Sequence, residues 1–188
     1  MDIVSTQQRN KIHPHKFTLW IAIGSIVMMF AGLTSAYIVK SNQASWQPIV
    51  IPKLFWYSTG VILFSSRTIQ IALRSFKDRE MRRYRMLLAV TTVLGILFVA
   101  LQYVGFQQLW NAGVTFRGSS AGQFLYVIAG LHALHVIGGV VALIVTFAKA
   151  FFGTTKNYSA VPVELVSTYW HFVDGLWLYL FVFFMWIG

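Results

Sequence analysis

Apolar residues in this chain come in long uninterrupted runs, separated by short polar segments. Five such runs stand out, at about residues 17–39, 54–73, 86–110, 123–149 and 163–187. Each has the roughly 20 residues needed to cross a hydrocarbon layer as a helix. Five spans in 188 residues leave no room for a soluble domain. The pattern therefore predicts an all-α integral membrane bundle of five transmembrane helices, a single domain over 17–188 behind a polar tail of residues 1–16. That tail merges into a full-length span without a short apolar core and cleavage site, so no signal peptide is expected. His13 and His15 flank Pro14 in the tail and read as exposed residues rather than metal ligands.

The polar interruptions set the orientation. Arg9, Lys11 and Lys16, the six basic residues of 74–85, and Lys149 and Lys156 fall on one side of the five-span pattern. Lys40, Lys53 and Arg117 fall on the other. Basic residues favour the cytoplasmic side, which predicts a cytoplasmic N-terminus and an external C-terminus. Composition agrees with a membrane protein: 57% of residues are hydrophobic and 11% charged. The net charge of +10 sits in loops between spans, where topology and anionic headgroups account for it, so nucleic acid is not an expected partner. There is no cysteine, which excludes disulfides and thiolate metal sites. No internal repeat with inverted halves is visible, which weakens a secondary-transporter reading.

Polar residues inside the spans are the candidates for chemistry, because a charge in a membrane is expensive. Span one has no charge, and is rich in small residues (Gly24, Ser25, Gly32, Ser35) that let helix backbones approach. Span two carries Ser65, Ser66, Arg67, Thr68 and Gln70, and span three carries Gln102. Arg67 can reach the headgroups, pair with Asp174 or Glu164, or hold a lipid phosphate, and a partner or lipid role is favoured over an active-site role. Span four carries His132 and His135 near its middle, three apart and expected to face the same way.

The last span is the most informative. On a helix, Glu164, Ser167, His171 and Asp174 share one face, while Trp170 and Trp177 share another. Haem held by two histidines needs them on facing helices at matching depth, and His171 is the one intramembrane histidine off span four. Histidines hydrogen-bonded between packed helices are the better reading. A transmembrane proton path would need titratable groups through the full depth, whereas His132, His135, His171 and Asp174 lie mostly in the middle third.

These residues also carry a resemblance. Tyr169-Trp170-His171-Phe172-Val173-Asp174-x-x-Trp177, with Glu164 upstream, closely resembles the last helix of subunit III of the haem-copper cytochrome c oxidases. Gly130-Leu131-His132-Ala133-Leu134-His135-Val136-x-x-Gly139 resembles the signature of that family's preceding helix. Ser65-Ser66-x-Thr68, Gln102, and Phe30-Ala31-Gly32-x-x-x-Ala36-Tyr37 also fit, and the likeness to a short, five-helix bacterial form runs from about Phe17 to the end.

The resemblance implies an accessory subunit of the bacterial plasma membrane with no cofactor of its own. Haem and copper would belong to the catalytic subunit I and other partner chains, phospholipid would sit between helix groups, and proton uptake would be supported. It implies structural or proton-environment roles for His132, His135, Glu164, His171 and Asp174, while Arg67, Trp170 and Trp177 are candidates for lipid contact or ion pairing. Two positions depart from the family: Ile26 and Gly105 stand where acidic residues are usual. Roles that depend on those carboxylates are therefore in doubt. The competing readings are the matching subunit of a quinol oxidase or nitric oxide reductase, a self-contained haem-binding membrane protein, and a transporter.

Overall fold

The computed structural model describes residues 14–42, 46, 51–115, 120–152 and 160–187. His13 and the remainder of the polar tail lie outside the described residues, as does the side chain of His15. Five helices follow in order: α1 (Pro14–Ser41), α2 (Leu54–Lys77), α3 (Met81–Asn111), α4 (Ser120–Phe152) and α5 (Val161–Ile187). No strand occurs among the described residues. The helices overrun the predicted spans by a few residues, because hydropathy marks only the part that suits hydrocarbon. α2 continues to Lys77 and α3 begins at Met81, so that all the basic residues of 74–85 except Arg79 lie on helical turns.

Four helices, α1, α3, α4 and α5, are long and apolar enough to cross a membrane by themselves. α2 has 24 residues, about 36 Å of helix, but its serines, threonines, Gln70 and Arg67 lower its hydropathy. It is accommodated because those hydroxyls are buried against neighbours: Ser58, Thr59, Ser65, Thr68 and Ser75 all lie inside the bundle. Helix-to-helix hydrogen bonds are the available way to satisfy polar side chains where water is scarce.

Packing is sequential with one return. α2 lies along α3, α3 along α4 and α4 along α5, and α5 closes back on α2. α1 rests on α4 and α5 and does not touch α2. Burial follows this order: the apolar window of α5 is 50% buried, that of α1 only 17%.

The turn between α2 and α3 takes just Asp78, Arg79 and Glu80. The N–H of Glu80 donates to Ser75 O at 2.9 Å and that of Arg79 to Phe76 O at 3.2 Å. This crossed pair closes a helix with a left-handed residue. Here that residue is Arg79, with φ 63°. The same pair of bonds ends α3, from Val114 to Leu109 and Gly113 to Trp110, with Gly113 at φ 88°.

Candidate functional site

α5 meets α2 along a ladder of side-chain hydrogen bonds. The Trp177 indole N–H donates to Thr59 Oγ1 at 3.0 Å, and that of Trp170 donates to Ser65 Oγ at 3.1 Å. His171 lies 2.6 Å from Ser66 Oγ through Nδ1 and 3.0 Å from Gln70 Oε1 through Nε2. One neutral tautomer satisfies both contacts: Nε2–H donates to the Gln70 carbonyl oxygen, and Nδ1 accepts from the Ser66 hydroxyl. The antiparallel run explains the pairing, since residues seven apart on α5 meet residues six apart on α2.

At the end of the ladder Glu164 accepts two ammonium groups, Lys16 Nζ of α1 at 2.7 Å and Lys77 Nζ of α2 at 2.9 Å. These three residues, with Leu19, Trp20, Leu73, Leu165 and Thr168, line an open pocket of about 390 Å³. It is here that α1 and α2, elsewhere out of contact, are tied together through α5.

Trp170 is the largest fully buried side chain among the described residues, set between α3 and α4 as well as α2. It fits because both facing positions are glycine. A Cβ on Gly95 would lie 2.9 Å from Trp170 Cη2, and one on Gly139 would lie 3.0 Å from Cε3 and Cζ3. Trp177 stacks on His132 with ring centroids 5.3 Å apart, and its other neighbours include Phe98 at 5.5 Å and Phe55 at 5.9 Å. The two tryptophans are thus interior residues, whereas Trp20, Trp56 and Trp186 are exposed.

Several expectations change at this level. His132 and His135 lie on one broad face of α4 but their rings meet different neighbours. Three residues turn a helix about 300°, leaving them about 60° apart, and the bundle resolves that angle onto different neighbours. His132 points to α5, while His135 is half-buried with its ring 5.9 Å from Phe30 of α1. Nδ1 of His135 lies 2.7 Å from Leu131 O of its own helix, and its backbone carbonyl accepts from Tyr169 Oη at 3.1 Å. Arg67 pairs with neither Glu164 nor Asp174; it is exposed on the surface of α2, while Lys16 and Lys77 take Glu164.

Asp174 is buried as expected, with neither carboxyl oxygen hydrogen-bonded to the protein. The Ser66 hydroxyl lies beside it but is engaged by His171. Among the described residues, no three of His, Asp and Glu gather in a metal-binding arrangement.

The two departures acquire physical accounts. At Gly105 the space for a side chain is taken by the Phe55 ring, whose Cζ would stand 3.1 Å from an added Cβ. Ile26 is partly buried against the apolar core, where an isoleucine needs no partner and a carboxylate would.

Some residues that build this face had not stood out from the sequence. Thr59 and Ser58 on α2, Gly95 on α3, and Lys16 and Lys77 at the mouth each take part. A signal for the first two was present: Ser58-Thr59 and Ser65-Ser66 repeat after seven residues, which places them on one stripe of α2.

Residues 11–188 match the family described as Cytochrome c oxidase subunit III. A probable cytochrome c oxidase subunit 3 of Nocardia farcinica is 30% identical over 182 residues, covering 91% of this chain and 90% of the relative. Cytochrome c oxidase subunit 3 of Bacillus sp. strain PS3 is 25% identical, with 86% and 80% covered. Subunit 3 of the cytochrome bo(3) ubiquinol oxidase of Buchnera aphidicola is 27% identical, with 87% of each chain covered. A match that spans all five helices and carries the α4 and α5 motifs with it leaves a single assignment: the chain belongs to the cytochrome c oxidase subunit III family of haem-copper oxidases, as a multi-pass bacterial membrane protein and one subunit of an oxidase complex.

Proposed function

We propose that this chain is an accessory subunit of a proton-pumping terminal oxidase that takes electrons from cytochrome c to oxygen. It has no redox centre of its own, steadies the catalytic haem-copper subunit I, binds phospholipid and supports proton uptake. The observation that carries the reading is the commitment of His171, the one intramembrane histidine off α4: both its ring nitrogens are engaged by α2, so it is not free to hold a haem together with a histidine of α4. His171 instead holds α2 and α5 in register. Lipid binding is supported by the pocket between Lys16, Lys77 and Glu164, where two ammonium groups over one carboxylate leave a net positive mouth beside Trp20 and Leu73. Exposed Arg67 adds a further cation on the surface of α2.

The test is purification of the intact complex in mild detergent, with optical spectra and partner masses read before and after stripping to the single 21.4 kDa chain. Haem and oxygen reduction should accompany the larger partners and leave with them. Haem retained by the stripped chain would overturn the reading. The Buchnera relative favours a second reading, the same accessory role in a quinol oxidase; oxidation of quinol rather than cytochrome c by the purified complex would select it.

A further inference from the structure

Among the described residues, Arg67 is the one charged side chain exposed on a helix far from either helix end. At 1.5 Å per residue it lies roughly 20 Å from the Leu54 end of α2 and roughly 15 Å from the Lys77 end. Its neighbour Ser66 gives the depth independently. The Ser66 hydroxyl meets His171 at 2.6 Å and lies beside Asp174, the central residue of α5. Arg67 therefore sits at the middle of the bundle, facing outward. Side chains on a helix lean toward its N-terminus, so Arg67 leans toward Leu54 and away from the nearer, basic end at Arg74 and Lys77. Snorkelling to headgroups at that nearer end would run against this tilt.

The described residues supply no counter-charge. Glu164 holds Lys16 and Lys77, and Glu80 holds Arg83. Asp78 lies in the turn beyond Lys77, and Asp174 is enclosed in the bundle at 2% exposure. Asp2 lies outside the described residues. Two turns from Arg67, Gly60 is exposed on the same stripe as Phe64 and Ile71, and a Cβ added there would meet nothing within 4 Å. A bare glycine on an outer face lets another helix approach closely within a membrane.

We infer that this face of α2 is an interface with a transmembrane helix of another oxidase subunit, and that this helix brings an aspartate or glutamate to Arg67 at mid-membrane depth. Charge selects this occupant over lipid. Acyl chains offer a guanidinium nothing to bind, and lipid phosphates lie at the membrane surface. A carboxylate inside the membrane is as much in need of a partner as the guanidinium is. The flat fork of arginine suits two parallel hydrogen bonds to it. Gly60 lies on the side toward which Arg67 leans, where the partner backbone has room to come close. The inference requires only that the chain is one subunit of an oxidase complex, so it holds whichever electron donor that complex uses.

Photo-cross-linking in the membrane-embedded complex tests it. Phe64 and Ile71, which flank Arg67 on the stripe, are replaced one at a time by benzoylphenylalanine, and linked peptides are mapped by mass. Both positions should link to one transmembrane helix of a partner subunit, with an Asp or Glu within about one turn of the linked residue. Links to lipid alone, or to a helix without such a carboxylate, would overturn the inference. Arg67→Leu adds a test of sign. Facing lipid, leucine replaces a costly charge, and retention of the subunit through a detergent wash would be unchanged or higher. Facing a carboxylate, leucine strands it, and retention should fall about tenfold or more. Retention at or above wild type would overturn the inference. So would a fall accompanied by loss of a bound phospholipid in native mass spectra, which would place a lipid phosphate at Arg67. The thermal midpoint of the stripped chain should be unchanged by Arg67→Leu, which separates a lost partner from a misfolded subunit.

Discussion

The α2–α5 seam and the α3–α4 contact at Gln102 and His132 both place polar side chains between neighbouring helices, but differently. In the seam, His171, Trp170 and Trp177 each find a protein partner on α2. At the α3–α4 contact, His132 and Gln102 line a largely apolar cavity, and three of their polar atoms are unmatched by the protein. The same residue type, histidine, is a direct strut in one place and the wall of a chamber in the other. The lesson concerns cost. Removing one member of a satisfied pair strands the other, whereas altering a group that has no protein partner strands nothing.

Substitutions can break that contrast at graded strength. Trp170→Ala should be the most severe, removing a fully buried ring from between two helix-packing glycines and orphaning the Ser65 contact. About 3–5 kcal/mol is expected for such a cavity, read as loss of the subunit from the purified complex or collapse of its thermal midpoint. Gly139→Ala should cost about 1–3 kcal/mol by overpacking against the same ring, and Gly95→Ala similarly, with Trp170→Phe in the same chain recovering part of the midpoint. His171→Leu, which strands Ser66 and Gln70, should cost about 1–3 kcal/mol, and His132→Phe clearly less. Equal midpoints for those two variants would dissolve the distinction between seam and chamber. The smallest effect belongs to the helix ends. Arg79→Gly relieves a left-handed residue in the α2–α3 turn and should raise stability by up to about 1 kcal/mol, whereas Gly113→Ala at the matching end of α3 should lower it.

Much of this architecture was legible in the sequence. Unbroken apolar runs located all five helices, because a membrane helix needs only length and composition to declare itself. The α4 and α5 motifs led to the family. Helix ends were less visible, since α2 and α3 extend as helix into charged residues that hydropathy treats as loop. Pairing between helices was hidden for a different reason. Periodicity shows which residues share a face, but not which neighbour that face meets, so His132 and His135 were grouped although they serve α5 and α1. Gly95 had not stood out and Gly139 was visible only as part of the α4 motif, because their packing role exists only once Trp170 lies across them. Arg67 looked like a partner for Glu164 because the nearer cation, Lys16, is distant in sequence and arrives with α1.

The placement of α1 has a consequence for how the chain is made. Among the described helices its neighbours are α4 and α5 alone, so α1, made before them, must wait in the bilayer until both have been synthesised. During that interval Thr34 lacks the Tyr179 hydroxyl that meets it at 2.9 Å in the finished bundle, and Lys16 lacks Glu164. Closure of the bundle is therefore a late, long-range event, and a chain released before α5 is complete would carry its opening helix into the membrane without either contact.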